Sequence, residues 1–198
     1  MTSISTAVID TERLALLPLR VAYAEEMAAV LADRALYAYT GGTPPTVEEL
    51  RSRYARQVAG SPDPEVVWCN WMIGIRKEAH ATRRSADSAE PFAGSLAGYV
   101  QATIGPDGDG QVAEIAWVVG TARQGRGIAT EAVRGLVRWL KEQGVRTLVA
   151  HIHPDHGASA AVAKAVGLAP TGERHDGEVR WRWTAGQRPA VGACADRV

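Results

Sequence analysis

Three groups of residues in this 198-residue chain combine types and spacings that can do chemistry. Glu114 is the only ionisable residue in the apolar run at 112–119 (VAEIAWVV). A carboxylate buried there would have its pKa raised towards useful basicity and suits a general base. A salt bridge with an arginine at a sheet edge is the alternative. Further on, Arg123, Gln124, Gly125, Arg126, Gly127, Ile128 and Ala129 form a glycine-punctuated loop opening into a helix. Successive amides at a helix start offer N–H groups without intrahelical partners, at the positive end of the macrodipole. Gly125 and Gly127 let the backbone approach a pyrophosphate without hindrance from Cβ, and Arg123 and Arg126 add positive charge. The third group reads His-Ile-His-Pro-Asp-His over residues 151–156, with Ser159 behind it. His151 and His153 are spaced by two and share one face of a strand, where either can act as a base or pack structurally. Together with Asp155 and His156 they are also sensible zinc ligands on a strand-end turn.

The elements that must position these residues follow from pattern. Residues 13–19 (RLALLPL) predict a first strand, and Ala22–Ala32 an amphipathic helix. Thr46 with Glu49 three residues on is a capping box for a helix to Ala59. Strands are predicted over 66–76, 94–104 and 112–119, with a loop at 77–91 and a turn at GPDGDG. The strand at 112–119, apolar on both faces apart from Glu114, belongs in the middle of a sheet. Apolar residues at 128, 129, 132, 133, 136, 139 and 140 give a helical period to Gln143, closed by Gly144. A strand at 145–153, a short helix at 158–166 and a last strand at 178–184 complete the series, and residues 185–198 read as a disordered tail. Strand–helix–strand order predicts a single α/β domain over residues 10–184.

Bulk properties narrow the function classes. Lys plus Arg and Asp plus Glu are both 22, which removes the electrostatic case for non-specific nucleic-acid binding. The two cysteines, Cys69 and Cys194, make no disulfide framework and fit a reducing compartment. No secretory leader or membrane-length apolar stretch is present, so a soluble, cytoplasmic protein without a membrane partner is expected.

The order strand AEIAWVV, loop TARQGRGIA, long helix, strand TLVAHIHP and short helix ending in Gly-Leu resembles the GNAT N-acetyltransferase superfamily. The opening TERLALLPL is similar to that of its RimJ/RimL-type branch. The resemblance implies a mixed sheet flanked by helices and splayed between 112–119 and 146–153. Acetyl-CoA would lie in the split as co-substrate, with an amine as acceptor and no metal. The implied coenzyme contacts are Trp117, Val118, Val119, Arg123, Gln124, Gly125, Arg126, Gly127, Ile128, Ala129, His156 and Ser159. A backbone N–H of Val118 or Val119 would face the thioester carbonyl. Glu114, Ser159 and His153 are the implied catalytic set. His156 stands where the branch usually has Asn, and Ala163 where many members have a Tyr acid. These departures leave room for a coenzyme-binding module without catalysis.

Residues 151–156 also match the H-x-H-x-D-H zinc motif of the metallo-β-lactamase hydrolases, the rival reading. That fold places the motif early and needs downstream ligands, whereas only His175 follows here. The acceptor is not written in the sequence: a protein N-terminus, a free amino acid, a polyamine and an aminoglycoside all present suitable amines. Trp68, Trp71, Trp181 and Trp183 are candidates for an apolar acceptor wall or for core. Homodimerisation is left open.

Overall fold

One eight-stranded sheet is parted near its middle, between two parallel strands that separate partway along. The computed structural model describes residues 4–76, 92, 94–108 and 110–186. The strands are β1 (Ile9–Asp10), β2 (Leu14–Pro18), β3 (Val67–Arg76), β4 (Gly94–Asp107), β5 (Gly110–Val119), β6 (Thr147–Ile152), β7 (Ala169–His175) and β8 (Glu178–Thr184). Their order across the sheet is β1-β2-β3-β4-β5-β6-β8-β7. Only β5 and β6 run parallel, and they pair over three positions, Val112–Thr147, Ala113–Leu148 and Glu114–Val149. Past Glu114, β5 stays paired with β4 as far as Val119, while β6 stays with β8 as far as Ile152. This is the mixed, splayed α/β sheet expected from the sequence, with the split where the resemblance implied it.

Helices cover both faces. Helix α3 (Ile128–Glu142) and α4 (Gly157–Ala165) bury Leu136, Leu140 and Ala163 against Ile115, Val119, Leu148 and Ile152. Helix α1 (Ala24–Val30) and α2 (Val47–Ala59) bury Met27, Leu50 and Tyr54 against Leu17, Met72 and Leu96 on the other face. The Thr46 capping box forms as read: Thr46 Oγ1 accepts from Glu49 N and the Glu49 carboxylate from Thr46 N, an arrangement worth about 1 kcal/mol. Gly144 follows α3 at φ 85°, the left-handed conformation that ends helices.

Several expectations need correction. The turn foreseen at GPDGDG is smaller, because β4 runs on through Gly105, Pro106 and Asp107. The first helix is shorter, with residues 21–23 in a 3-10 turn. Strand β7 has no apolar alternation, is mostly exposed and went unforeseen; it is an edge strand that needs only one partner, β8. Trp71 is no acceptor wall: it is fully buried, packs edge-on against Trp139 at 4.9 Å and donates to Ala7 O at 2.9 Å. Trp181 and Trp183 pack against the α3–α4 core. The loop at 77–91 and the tail from 187 on lie outside the described residues. Among the described residues no helix is long and apolar enough to cross a membrane.

Candidate active site

Backbone chemistry comes first in the split. Along β5 successive residues turn their peptide groups alternately to the two neighbouring strands. Gln111 O accepts from Arg146 N on the β6 side, and Gly120 N donates to Ala97 O on the β4 side. Odd-numbered residues of β5 therefore face β6. Past the Glu114–Val149 pair, where β6 has departed, the peptide groups of Trp117 and Val119 face the open seam without a partner on β6. Val119 O takes the Gln124 side-chain amide at 2.9 Å, which ties the downstream loop to the strand end. Val118 turns its carbonyl towards Gly98, where a Cβ would stand 2.0 Å from that oxygen. Of the two residues proposed from sequence for the thioester carbonyl, Val119 lies on the open side.

The loop at 120–127 closes the wide end of the seam. Gly125 and Gly127 have φ of 73° and 74°, conformations that L residues with a Cβ rarely adopt. Gly127 is the N-cap of α3 and supplies no side-chain acceptor. The first amides of a fifteen-residue helix are thus left for a ligand, at the positive end of its dipole. Arg126 is exposed. Arg123 reaches back to Ser95 Oγ at 3.4 Å, so it braces the loop from below.

Side chains gather at the narrow end. Glu114 stands on the last β5–β6 pair before the split, and its carboxylate lies 3.2 Å from His151 Nδ1. The burial expected from the apolar run does not occur, since the Glu114 side chain is 59% exposed. The reason is geometric: even-numbered residues of β5 face the α1–α2 layer, which reaches Val118 but stops short of Glu114. That uncovered area is a cavity of about 550 Å³ lined by Thr103, Glu114, His151, Glu173, His175 and Arg180 among others. His151 and His175 rings lie 5.7 Å apart, and Glu173 is ion-paired with Arg180. A second cavity of about 570 Å³, between the C-terminal half of α3 and α4, holds none of the residues singled out from the sequence.

The histidine group is divided between sites. His151 serves the Glu114 cavity. His153 and His156 flank Tyr39, with ring centroids 5.3 and 4.5 Å away. His156 is the N-cap of α4: its Nδ1 accepts from Ser159 N at 3.3 Å, and its Nε2 lies 3.4 Å from Ser159 Oγ. An Nδ1 that accepts is unprotonated, so in the neutral ring Nε2 carries the hydrogen and donates to Ser159 Oγ. The Ser159 hydroxyl hydrogen is then free to serve a ligand. The zinc reading is not favoured. Asp155 is 82% exposed and 3.9 Å from His153, and among the described residues no three His, Cys, Asp or Glu converge as ligands. Tyr39 was missed from sequence, because nothing local in its loop marks it as a neighbour of α4.

The parallel strand pair thus opens beside an uncapped helix start, with a carboxylate–histidine pair at its closed end. The model of the acetyltransferase (GNAT) domain matches residues 13–169, and the chain belongs to this GNAT acetyltransferase family. No curated protein matches the chain. Solved structures share the fold. An acetyltransferase from Agrobacterium tumefaciens is 24% identical, with TM-score 0.65, covering 92% of this chain and 97% of that one. The microcin C7 self-immunity acetyltransferase MccE, in complex with acetyl-CoA and AMP, is 17% identical with TM-score 0.65 over 88% and 93% of the two chains. RimL, a ribosomal L7/L12 alpha-N-protein acetyltransferase in complex with coenzyme A, is 16% identical with TM-score 0.66 over 89% and 97%.

Proposed function

We propose that the protein transfers the acetyl group of acetyl-CoA to a primary amine by direct attack in a ternary complex, with Glu114 as the base. The observation that carries this reading is the position of Glu114: it ends the paired part of β5 and faces a cavity beside His151. An alkylamine has a pKa of ~10.4 and is protonated at neutral pH. Glu114 takes one proton from it, directly or through one water, and the freed lone pair attacks the thioester carbonyl carbon. His151, in hydrogen-bond reach of that carboxylate, passes the proton on towards His175 and solvent. The Val119 N–H, turned into the seam, meets the charge developing on the carbonyl oxygen. As the C–S bond breaks, Ser159 Oγ, which accepts from His156, gives its hydrogen to the departing sulfur, and the second proton that the nitrogen loses on becoming an amide restores the serine hydroxyl. The amides at 125–129, with Arg126, take the diphosphate, and Trp117 and Val119 flank the coenzyme's pantetheine arm. His153, which packs against Tyr39 at a tilt, shapes the wall near α4 in this reading.

The likeness to RimL makes a protein N-terminal amine the first acceptor to try. Thiol release from acetyl-CoA is measured with a panel of peptides, amino acids, polyamines and aminoglycosides. The proposal expects turnover with at least one amine and intersecting initial-velocity lines. Parallel lines would mean an acetyl-enzyme and would end the direct-attack scheme. Coenzyme binding without turnover on any amine would favour a silent module.

A further inference from the structure

The coenzyme loop is held from outside by a residue that no loop motif contains. Arg13, just before β2, uses its guanidinium on two partners at once. Its Nε donates to Glu131 Oε2 at 2.7 Å, and its Nη1 donates to the carbonyl of Arg126 at 3.2 Å. Glu131, in the first turn of α3, also accepts from Arg13 N at 2.8 Å and from Thr11 Oγ1 at 2.7 Å. Burial pushes the Glu131 carboxyl up, but the hydrogen bonds from Thr11 and Arg13 outweigh it and hold it below the usual carboxylate range. The close approach of the β1–β2 corner to α3 requires Gly135, where a Cβ would meet Thr11 Cγ2 at 2.9 Å.

A trans peptide is planar, with its C=O and N–H pointing in opposite directions. Whatever holds the Arg126 carbonyl therefore aims the Gly127 N–H. We propose that Arg13, anchored by Glu131, is a positioning residue that fixes the Arg126–Gly127 peptide plane with its N–H turned towards the coenzyme diphosphate. This rests on the coenzyme reading above. Without such a hold, a peptide that leads from Arg126 into a glycine of positive φ can flip at little steric cost. Its ordering would then count against binding, and a carbonyl could turn to the anion.

The test is calorimetry on the full chain with coenzyme A and with dephospho-coenzyme A, which keeps the diphosphate but lacks the 3′-phosphate. R13Q should weaken both by about tenfold or more, the scale of one hydrogen bond to a charged group. R13K keeps the charge but cannot span Glu131 and the Arg126 carbonyl, so it should show much the same loss. Amide hydrogen exchange of the free variants should quicken selectively over 124–128. Unchanged affinity in R13Q, recovery in R13K, a loss confined to coenzyme A, or exchange raised evenly along the chain would each overturn the proposal. If R13Q fails to fold, E131Q carries the same test, because it removes the anchor and leaves Arg13 charged. A wild-type protein that binds neither ligand would instead refute the coenzyme reading itself.

Discussion

The two ends of the seam are built on different principles. In the proposed site, the groups at the wide end that would meet the coenzyme are peptide amides of a contiguous segment, 119–129, with side chains such as Gln124 and Arg13 bonded to its backbone carbonyls. At the closed end the proposed working groups are side chains from β5, β6, β7 and β8, meeting over a sheet face that no helix among the described residues covers. A backbone site depends on conformation and tolerates many side chains. A side-chain site depends on each residue's chemistry and can be re-specified position by position. On the proposed reading, the contrast is why the glycine loop at 123–129 was legible as a coenzyme motif while the cavity beside Glu114 names no acceptor.

Substitutions separate the two ends. E114Q removes the proposed base without changing size and should lower kcat by about 10² to 10⁴-fold, the span general base catalysis contributes. The KM for acetyl-CoA should stay unchanged. An equal fall in coenzyme affinity would erase the distinction between the ends. G98A attacks the backbone end. Gly98 has φ 157° and Val118 O stands 2.0 Å from where a Cβ would go, so β5 must shift at the carbonyl site. An unfolding loss of about 3 kcal/mol or more is expected, read by denaturant titration. G172A is the control: nothing lies within 4 Å of its added Cβ, so a change within about 0.5 kcal/mol is expected.

Smaller effects sharpen the boundary. H156A deletes the α4 cap and should cost about 1 kcal/mol, whereas H156N restores a capping acceptor and most of that stability. If H156N also recovers coenzyme affinity, the family's usual Asn and this His are equivalent at the site. The smallest effect is the pH dependence of Glu131. Its folded pKa lies below the ordinary value of 4.5, so the folded state binds fewer protons. The stability it contributes is present above pH 4.5 and fades as pH falls through the lower folded value. The melting-temperature gap between wild type and E131Q should shrink across that acid range. A constant gap would assign it to packing alone.

Much of the fold was legible because its signals are local. The Thr46–Glu49 box, the glycine after α3 and the apolar period of α3 each lie within a few residues, and each gave the right element. The run at 112–119 was rightly placed in the sheet interior by its two apolar faces. The same run misled about Glu114, because composition reports how apolar a strand is but not where the helical layer above it stops. Strand β7 was invisible for a related reason. An exposed edge strand with Pro170 and Gly172 needs only the pairing of β8 to exist, and pairing is not a property of its own residues.

By itself the sequence determined the order of elements, the glycine-bearing loop and the presence of a carboxylate on the central strand, since periodicity and backbone freedom are encoded residue by residue. Only tertiary structure decided which peptide groups face the seam, that His151 rather than His153 meets Glu114, and that Tyr39 packs against His156. It also decided that Arg13 reaches a carbonyl 113 positions away. Those facts depend on distances between segments remote in the chain, and such distances exist only once the sheet has assembled.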